Sequence, residues 1–170
     1  MAGPGRMILP EGLSLQRLSQ PEEAESCARL MSSTEPWITL GRSREASLDL
    51  VRDAGREVYI ARVGGLFAGF LILNMRGAFV GYIQTVCLVP EQRGQGLGTA
   101  IIGWAEDRIF RESPNVFMCV SSFNKDAQRL YQRLGYTVIG ELTDYLVPGH
   151  SEILLRKSKG PWSRWAPRPV

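Results

Sequence analysis

The chain contains 170 residues, 44% of them hydrophobic, which is enough for one ordinary hydrophobic core and too little for two domains. Its formal net charge of +3 depends on five basic residues in the last fifteen positions, where no acidic residue occurs, so the remainder is slightly negative. That distribution excludes the extended basic surface of a nucleic-acid-binding protein, and we predict no nucleic-acid partner.

The N-terminal half of the sequence predicts a short strand, two helices and a three-stranded meander. Pro21 and the glutamates after it favour the start of the first helix, and Gly55 ends the second one. Gly64 and Gly65 join two apolar runs as a two-residue hairpin loop. The expected strands span residues 13–18, 58–63, 66–75 and 82–89, and the expected helices span 21–32 and 44–53.

The C-terminal half predicts two amphipathic helices that alternate with strands. Apolar residues recur every four positions from Leu97 to Ile109, and a second helical stripe follows Asn124, which is expected to cap its helix. The order of elements, β-α-α-β-β-β-α-β-α-β-β, indicates an α/β fold with about seven strands and four helices. The expected helices span residues 97–111 and 125–135, and the expected strands span 116–120, 136–142 and 152–155.

The same pattern predicts the domain organisation. Residues 8–157 are expected to form a single domain, and residues 158–170 form a basic tail with two tryptophans and three prolines. Such a tail either stays flexible or packs on a neighbouring subunit. Because the tail and the final strands offer apolar and aromatic surface, a homodimer is one expectation.

Cysteine usage and hydropathy bear on location and on metal binding. Cys27, Cys87 and Cys119 are widely spaced in apolar contexts, unlike a disulfide framework or a zinc motif. The first seven residues precede no apolar run, and the most apolar stretch is half of the ~20 residues that span a membrane. We therefore expect a cytoplasmic protein with no metal site and no membrane partner.

A glycine-rich turn between a strand and a helix predicts an anion-binding site. Gly94, Gly96 and Gly98 follow a strand that stops at Pro90. Glycines let the backbone approach a ligand, and the free amides of a helix's first turn attract phosphate groups. The turn lacks the Gly-Lys-Ser/Thr of a P-loop and the glycine spacing of the dinucleotide fingerprint. A tight turn without a ligand is the alternative interpretation.

The residues from Val89 to Gly98 resemble the acyl-CoA-binding motif of the GNAT superfamily, with Arg93, Gly96 and Gly98 at its key positions. The run from Asn124 to Tyr136 resembles the family's second signature. The resemblance implies the acyl-CoA N-acyltransferase fold, an α/β fold whose mixed central sheet is mostly antiparallel, within the single domain at 8–157. It further implies a cofactor site for acetyl-CoA that comprises Leu88, Val89, Arg93, Gly94, Gln95, Gly96, Leu97, Gly98, Thr99 and Asn124.

The resemblance also implies a reaction. An N-acetyltransferase moves an acetyl group from acetyl-CoA to a primary amine by direct attack in a ternary complex. Tyr131 matches the tyrosine that the family uses as general acid, whereas its spacing alone also suits a core aromatic residue. The acceptor would be a small amine or a protein or peptide amine. The alternative function is a non-catalytic acyl-CoA-binding sensor or assembly module.

The general base is not identified by the sequence. Cys119 stands where ribosomal-protein alanine acetyltransferases, a GNAT branch that the second half of the chain resembles, carry a glutamate. Glu35, in a loop expected over the acceptor side, is a candidate base or acceptor contact, and Tyr82 or Gln84 would order water. His150 is more typical of a solvated turn. The Trp37 loop and the turn at 144–150 are expected to form the acceptor walls.

Overall fold

A seven-stranded sheet forms the centre of the computed structural model, which describes residues 9–166. Its strand order is β1-β2-β3-β4-β5-β7-β6, and every neighbouring pair is antiparallel except β4 and β5. The strands are β1 (Leu13–Arg17), β2 (Glu57–Val63), β3 (Leu66–Asn74), β4 (Tyr82–Leu88), β5 (Asn115–Ser121), β6 (Thr137–Leu142) and β7 (Glu152–Ser158). The helices are α1 (Pro21–Ser32), α2 (Arg44–Arg52), α3 (Leu97–Ile109) and α4 (Lys125–Arg133).

The predicted fold class is therefore confirmed, both in the number of elements and in their order. Apolar periodicity was sufficient because each helix packs apolar side chains against the core and β3 is buried on both faces. The boundary of the domain stays a prediction. Residue 8 and the last four residues of the tail lie outside the described residues, while β7 continues to Ser158 and the Lys159 amide donates to the Pro114 carbonyl at 2.8 Å.

Two apolar clusters pack on opposite faces of the sheet. On one face, α1 contributes Cys27 and Met31, which pack with Phe70 and Ile72 of β3. On the other face, α3 packs its buried stripe against β3, β4 and β5. Strand β3 is thus enclosed between two layers, which explains its uninterrupted apolar sequence. No helix within residues 9–166 has the length and apolar character that crossing a membrane requires.

Strands β4 and β5 lie side by side at one end and diverge at the other. Tyr82 and Phe117 are their one register pair, and the Phe117 amide donates to the Gly81 carbonyl at 2.9 Å. Beyond this point β4 continues along β3, while β5 pairs with β7 over its full length. The divergence leaves the facing backbone edge of β4 without a strand partner.

Gly81 fixes the point of divergence, and its replacement tests how strongly the fold depends on close packing there. A Cβ atom at Gly81 would lie 2.5 Å from both the Asn115 carbonyl oxygen and a methyl carbon of Ile109, and φ is +90°. Gly77 has a similar φ of +82° with no atom within 4 Å of such a Cβ. We expect Gly77→Ala to lose about 1–2 kcal/mol of unfolding free energy from backbone strain alone. Gly81→Ala should lose about 1–3 kcal/mol more, from overpacking.

Urea unfolding of both variants, followed by circular dichroism, measures this difference. Equal losses of unfolding free energy in the two variants would show that the structure around Gly81 relaxes freely, contrary to the prediction.

Candidate active site

The glycine-rich turn places a helix N-terminus at the end of β4. A short 3-10 turn at Pro90–Gln92 leads into Gly94 and Gly96, whose φ values of +72° and +80° are left-handed. No atom lies within 4 Å of a Cβ built on either glycine, so the space in front of the turn is open. Helix α3 begins without a side-chain cap. The amides at its start therefore lack acceptors within the helix and can bind an anion.

Other residues of the predicted cofactor site fasten this turn to the sheet. The Arg93 guanidinium donates twice to the Leu88 carbonyl, from Nε at 3.0 Å and from Nη2 at 2.8 Å. The Val89 amide donates to the Ala68 carbonyl at 2.9 Å, and the Gln95 side-chain amide donates to the Glu91 carbonyl at 2.8 Å. These contacts hold the turn at the open end of β4.

A cavity of about 840 Å³ opens where β4 and β5 diverge. Its floor comes from β4, β5 and β7, and its walls come from loops that precede α2, follow β3 and follow β6. Trp37 of the first loop and Tyr145 of the last both line it, and their role as acceptor walls stays a prediction. Asn124 and Tyr131 also face this space, so the second signature and the divergent strands meet in one site.

Helix α4 is anchored at its N-terminus, which positions Tyr131. The Asn124 side chain accepts a hydrogen bond from the Ala127 amide at 3.2 Å, which makes it the predicted helix cap. The Gln128 side-chain amide donates to the carbonyls of Ser121 and Ser122, both at 3.0 Å. The start of the helix is thereby fixed to the end of β5.

Tyr131 lies half-buried on the cavity wall. Its ring packs edge-on against Tyr136, with the ring centroids 6.1 Å apart. Burial raises the pKa of the Tyr131 phenol, and no hydrogen-bonding group contributes to that shift. The hydroxyl therefore stays protonated at neutral pH and is free to donate to a group that enters the cavity.

Glu152 is a site residue that the sequence interpretation missed. Its carboxylate lies at the first position of β7, lines the cavity and is only 6% exposed. The Ser121 hydroxyl donates to its Oε1 at 2.6 Å, and burial raises the pKa of the carboxyl in spite of that bond. One signal was present in the sequence, since Glu152 is an acidic residue directly before the apolar run at residues 153–155.

Tyr82, Cys119 and Gln84 complete the floor. Tyr82 and Cys119 interact electrostatically with each other, and burial raises the pKa of both groups. Gln84 is the extra residue of a β-bulge, because Ile83 and Thr85 pair with consecutive residues of β3. Its Oε1 is buried and has no hydrogen-bond partner within the described chain. Gln84 therefore lines the cavity while its side-chain oxygen stays buried and, within residues 9–166, unpaired.

Two other predicted candidates lie away from this space. The Glu35 carboxylate accepts hydrogen bonds from the Thr39 amide at 3.2 Å and the Thr39 hydroxyl at 3.0 Å, and it does not line the cavity. The His150 ring packs on Phe123 with the centroids 4.9 Å apart, also outside the lining. The role of Glu35 as a base or acceptor contact stays a prediction.

Divergent strands beside an uncapped helix N-terminus place an open sheet edge next to a group of free backbone amides. The family model described as "Acetyltransferase (GNAT) family" matches residues 20–136. The chain therefore belongs to the GNAT acetyltransferase family, a family of acyltransferases (EC 2.3.1 class). The predicted resemblance and enzyme class are confirmed at this level.

Relatives and a solved structure agree with the assignment. An uncharacterized N-acetyltransferase of Methanocaldococcus jannaschii is 31% identical over 107 residues, which cover 59% of this chain and 65% of that protein, less than two thirds of its length. The S-(2-succino)cysteine N-acetyltransferase of Bacillus subtilis is 28% identical over 83% of this chain and 93% of its own. An aminoglycoside 6′-N-acetyltransferase complexed with coenzyme A shares the fold, with a TM-score of 0.69, 14% identity, and 92% and 99% of the two chains covered.

The raised pKa of Glu152 predicts a pH dependence of stability. Between the ordinary glutamate pKa of ~4.3 and the higher pKa of Glu152, the folded state binds more protons than the unfolded state. The unfolding free energy should therefore fall as pH rises through that window. Glu152→Gln keeps an acceptor for Ser121 but cannot ionise, so we expect its unfolding free energy to fall less than that of the wild type.

Urea unfolding across pH 4–8 measures the effect, and Glu141→Gln serves as the control because Glu141 is an exposed residue of β6. Parallel stability curves for the wild type and Glu152→Gln would contradict the prediction.

Proposed function

We propose that this protein transfers an acetyl group from acetyl-CoA to a primary amine by direct attack in a ternary complex. The observation that carries the proposal is the opening between β4 and β5, which joins an uncapped helix N-terminus to a cavity lined by Tyr131. An acyl-CoA-binding module without turnover needs the uncapped helix N-terminus. It has no use for an unbonded phenol in the cavity.

Residues of the glycine-rich turn bind the pyrophosphate of acetyl-CoA in this proposal. The amides from Gly94 to Thr99 and the dipole of α3 attract its charge, and the open space in front of Gly94 and Gly96 accommodates it. The free edge of β4, as far as Leu88, pairs with the pantetheine arm as an added strand would. Asn124, which also lines the cavity, contacts that arm.

The chemistry requires a neutral amine and a protonated leaving group. A bond forms between the amine nitrogen and the acetyl carbon, and the bond between that carbon and the CoA sulfur breaks. Tyr131 donates its proton to the sulfur as it leaves and regains a proton from solvent. The attacking nitrogen loses two protons when the substrate enters as an ammonium ion, so each turnover releases one proton to water.

A small-molecule amine is the proposed acceptor class. The cavity volume of about 840 Å³ lies within the ~300–1,000 Å³ typical of small-molecule sites. Two proteins that this chain is similar to carry names that specify small acceptors, S-(2-succino)cysteine and aminoglycosides. The aromatic walls at Trp37 and Tyr145 suit the apolar part of such a molecule.

An amine panel tests the function. Release of free thiol from acetyl-CoA is measured with polyamines, aminoglycosides, amino acids and short peptides, and tight binding of acetyl-CoA is measured by calorimetry. We expect at least one small amine to accelerate thiol release in a saturable manner. Tight binding of acetyl-CoA without acceleration by any amine would favour the sensor function instead.

The acid role of Tyr131 predicts a separation of turnover from binding. We expect Tyr131→Phe to lower kcat by about 10²-fold or more, because general acid catalysis is lost, while the Kd for acetyl-CoA changes by less than about threefold. Tyr136→Phe is the matched control, since Tyr136 packs against Tyr131 but does not line the cavity. Steady-state kinetics and calorimetry provide the two quantities.

Similar effects of the two phenylalanine variants on kcat would indicate that Tyr131 acts through packing and not through its proton.

A further inference from the structure

We propose that Glu152 binds the amine of the acceptor and takes the proton that this nitrogen must lose before attack. The inference rests on the proposed function and deepens it. It places the general base on β7, and it specifies the substrates as amines that enter the cavity as cations. The Ser121 hydroxyl is a positioning residue that holds the carboxylate in place.

Glu152 and other poorly exposed carboxylates of the described chain differ in their side-chain partners. Glu23, Glu57 and Glu106 each pair with an arginine or lysine at 2.6 Å. Glu152 is 6% exposed, yet within residues 9–166 its side chain bonds the neutral Ser121 hydroxyl and forms no ion pair. A buried carboxylate without a cation is unfavourable when ionised, and an ammonium group in the cavity would supply the missing partner.

The sheet directs Glu152 toward the site of reaction. Ser121 of β5 is its register partner, and Cys119 lies two residues earlier on the same face of β5. Tyr131 and Glu152 line one cavity. An amine substrate bound there would therefore lie beside a proton acceptor, Glu152, and a proton donor, Tyr131. Gln84 lines the same cavity, and its side-chain Oε1, which is buried behind the cavity surface, has no hydrogen-bond partner within the described chain.

Several titratable groups surround this carboxylate. Tyr82 of β4 and Cys119 of β5 interact electrostatically with Glu152, and burial raises the pKa of each, so both are neutral at physiological pH. Tyr131 of α4 is also a neutral phenol, for the same reason. On the other side, β6 places Leu142 opposite Glu152. Arg42 and Arg76 are the cations of the cavity lining.

The alternatives for the base are weaker on the same grounds. A thiol whose pKa is raised, as at Cys119, remains protonated and cannot accept a proton. Glu35 is exposed and bonded to Thr39, and the His150 ring packs outside the cavity. Glu152 is the single carboxylate among the residues that line it.

With this assignment, every proton that the reaction moves has a donor and an acceptor. Glu152 takes one proton from the ammonium nitrogen and returns it to water. The neutral amine attacks the acetyl carbon, the C–S bond breaks, and Tyr131 gives its proton to the sulfur. The second proton of the nitrogen restores Tyr131 through solvent, so both side chains end each cycle as they began.

The first test compares Glu152→Gln with the control Glu141→Gln, using the best amine from the panel. We expect Glu152→Gln to lower kcat/KM by about 10²-fold or more and to remove the acid limb of its pH profile. Its Kd for acetyl-CoA should stay within about threefold of the wild-type value. An unchanged pH profile with kcat/KM within threefold of the wild type would overturn the inference.

A second variant keeps the inference testable if Glu152→Gln does not fold. Ser121→Ala removes the hydrogen bond that lowers the pKa of Glu152, so the acid limb of kcat/KM should move to higher pH. A purely structural role of the pair would leave that limb in place, and this result would overturn the inference. Absence of amine-dependent thiol release in the wild type would overturn the proposed function itself, a distinguishable outcome.

Discussion

The separation of β4 from β5 is the constraint on which the rest of this structure depends. Backbone groups at a strand edge require partners, and a single register pair between these two strands leaves most of one edge open. The sheet remains intact on both sides of the opening because β4 pairs with β3 and β5 pairs with β7. The glycine-rich turn, the cavity and Tyr131 are all arranged around this gap.

The fold and the local structure of the expected cosubstrate site are predictable from sequence because they depend on local patterns. Helical spacing in α3 and α4, the glycines before α3 and the Asn124 cap are all encoded within a few neighbouring residues. Glu152 was missed because its environment comes from Ser121, 31 residues earlier, through the pairing of β7 with β5. Gln84 was considered, but the bulge that leaves its oxygen unpartnered appears only once β3 is in register.

Glu35 also illustrates the limit of local sequence patterns, because here a residue was predicted that does not line the cavity. Its loop was expected near the acceptor, and the neighbouring Trp37 does line the cavity. A loop position, however, does not determine the direction of a side chain. The two Glu35 oxygens bond the backbone amide and hydroxyl of Thr39, so the carboxylate serves the loop's own turn. The direction of the Glu35 side chain depends on its hydrogen-bonding partners, which the apolar periodicity of a sequence does not describe.

The division between strands and loops in the cavity has an evolutionary consequence. Glu152 and Tyr82 belong to paired strands and Tyr131 to an anchored helix, whereas Trp37 and Tyr145 belong to separate loops. Loops tolerate insertion and replacement far better than strands in a shared sheet. Under the proposed function, exchange of these loops would therefore change the acceptor and leave the proposed acyl-transfer residues in place, which makes the loops the segments to redesign.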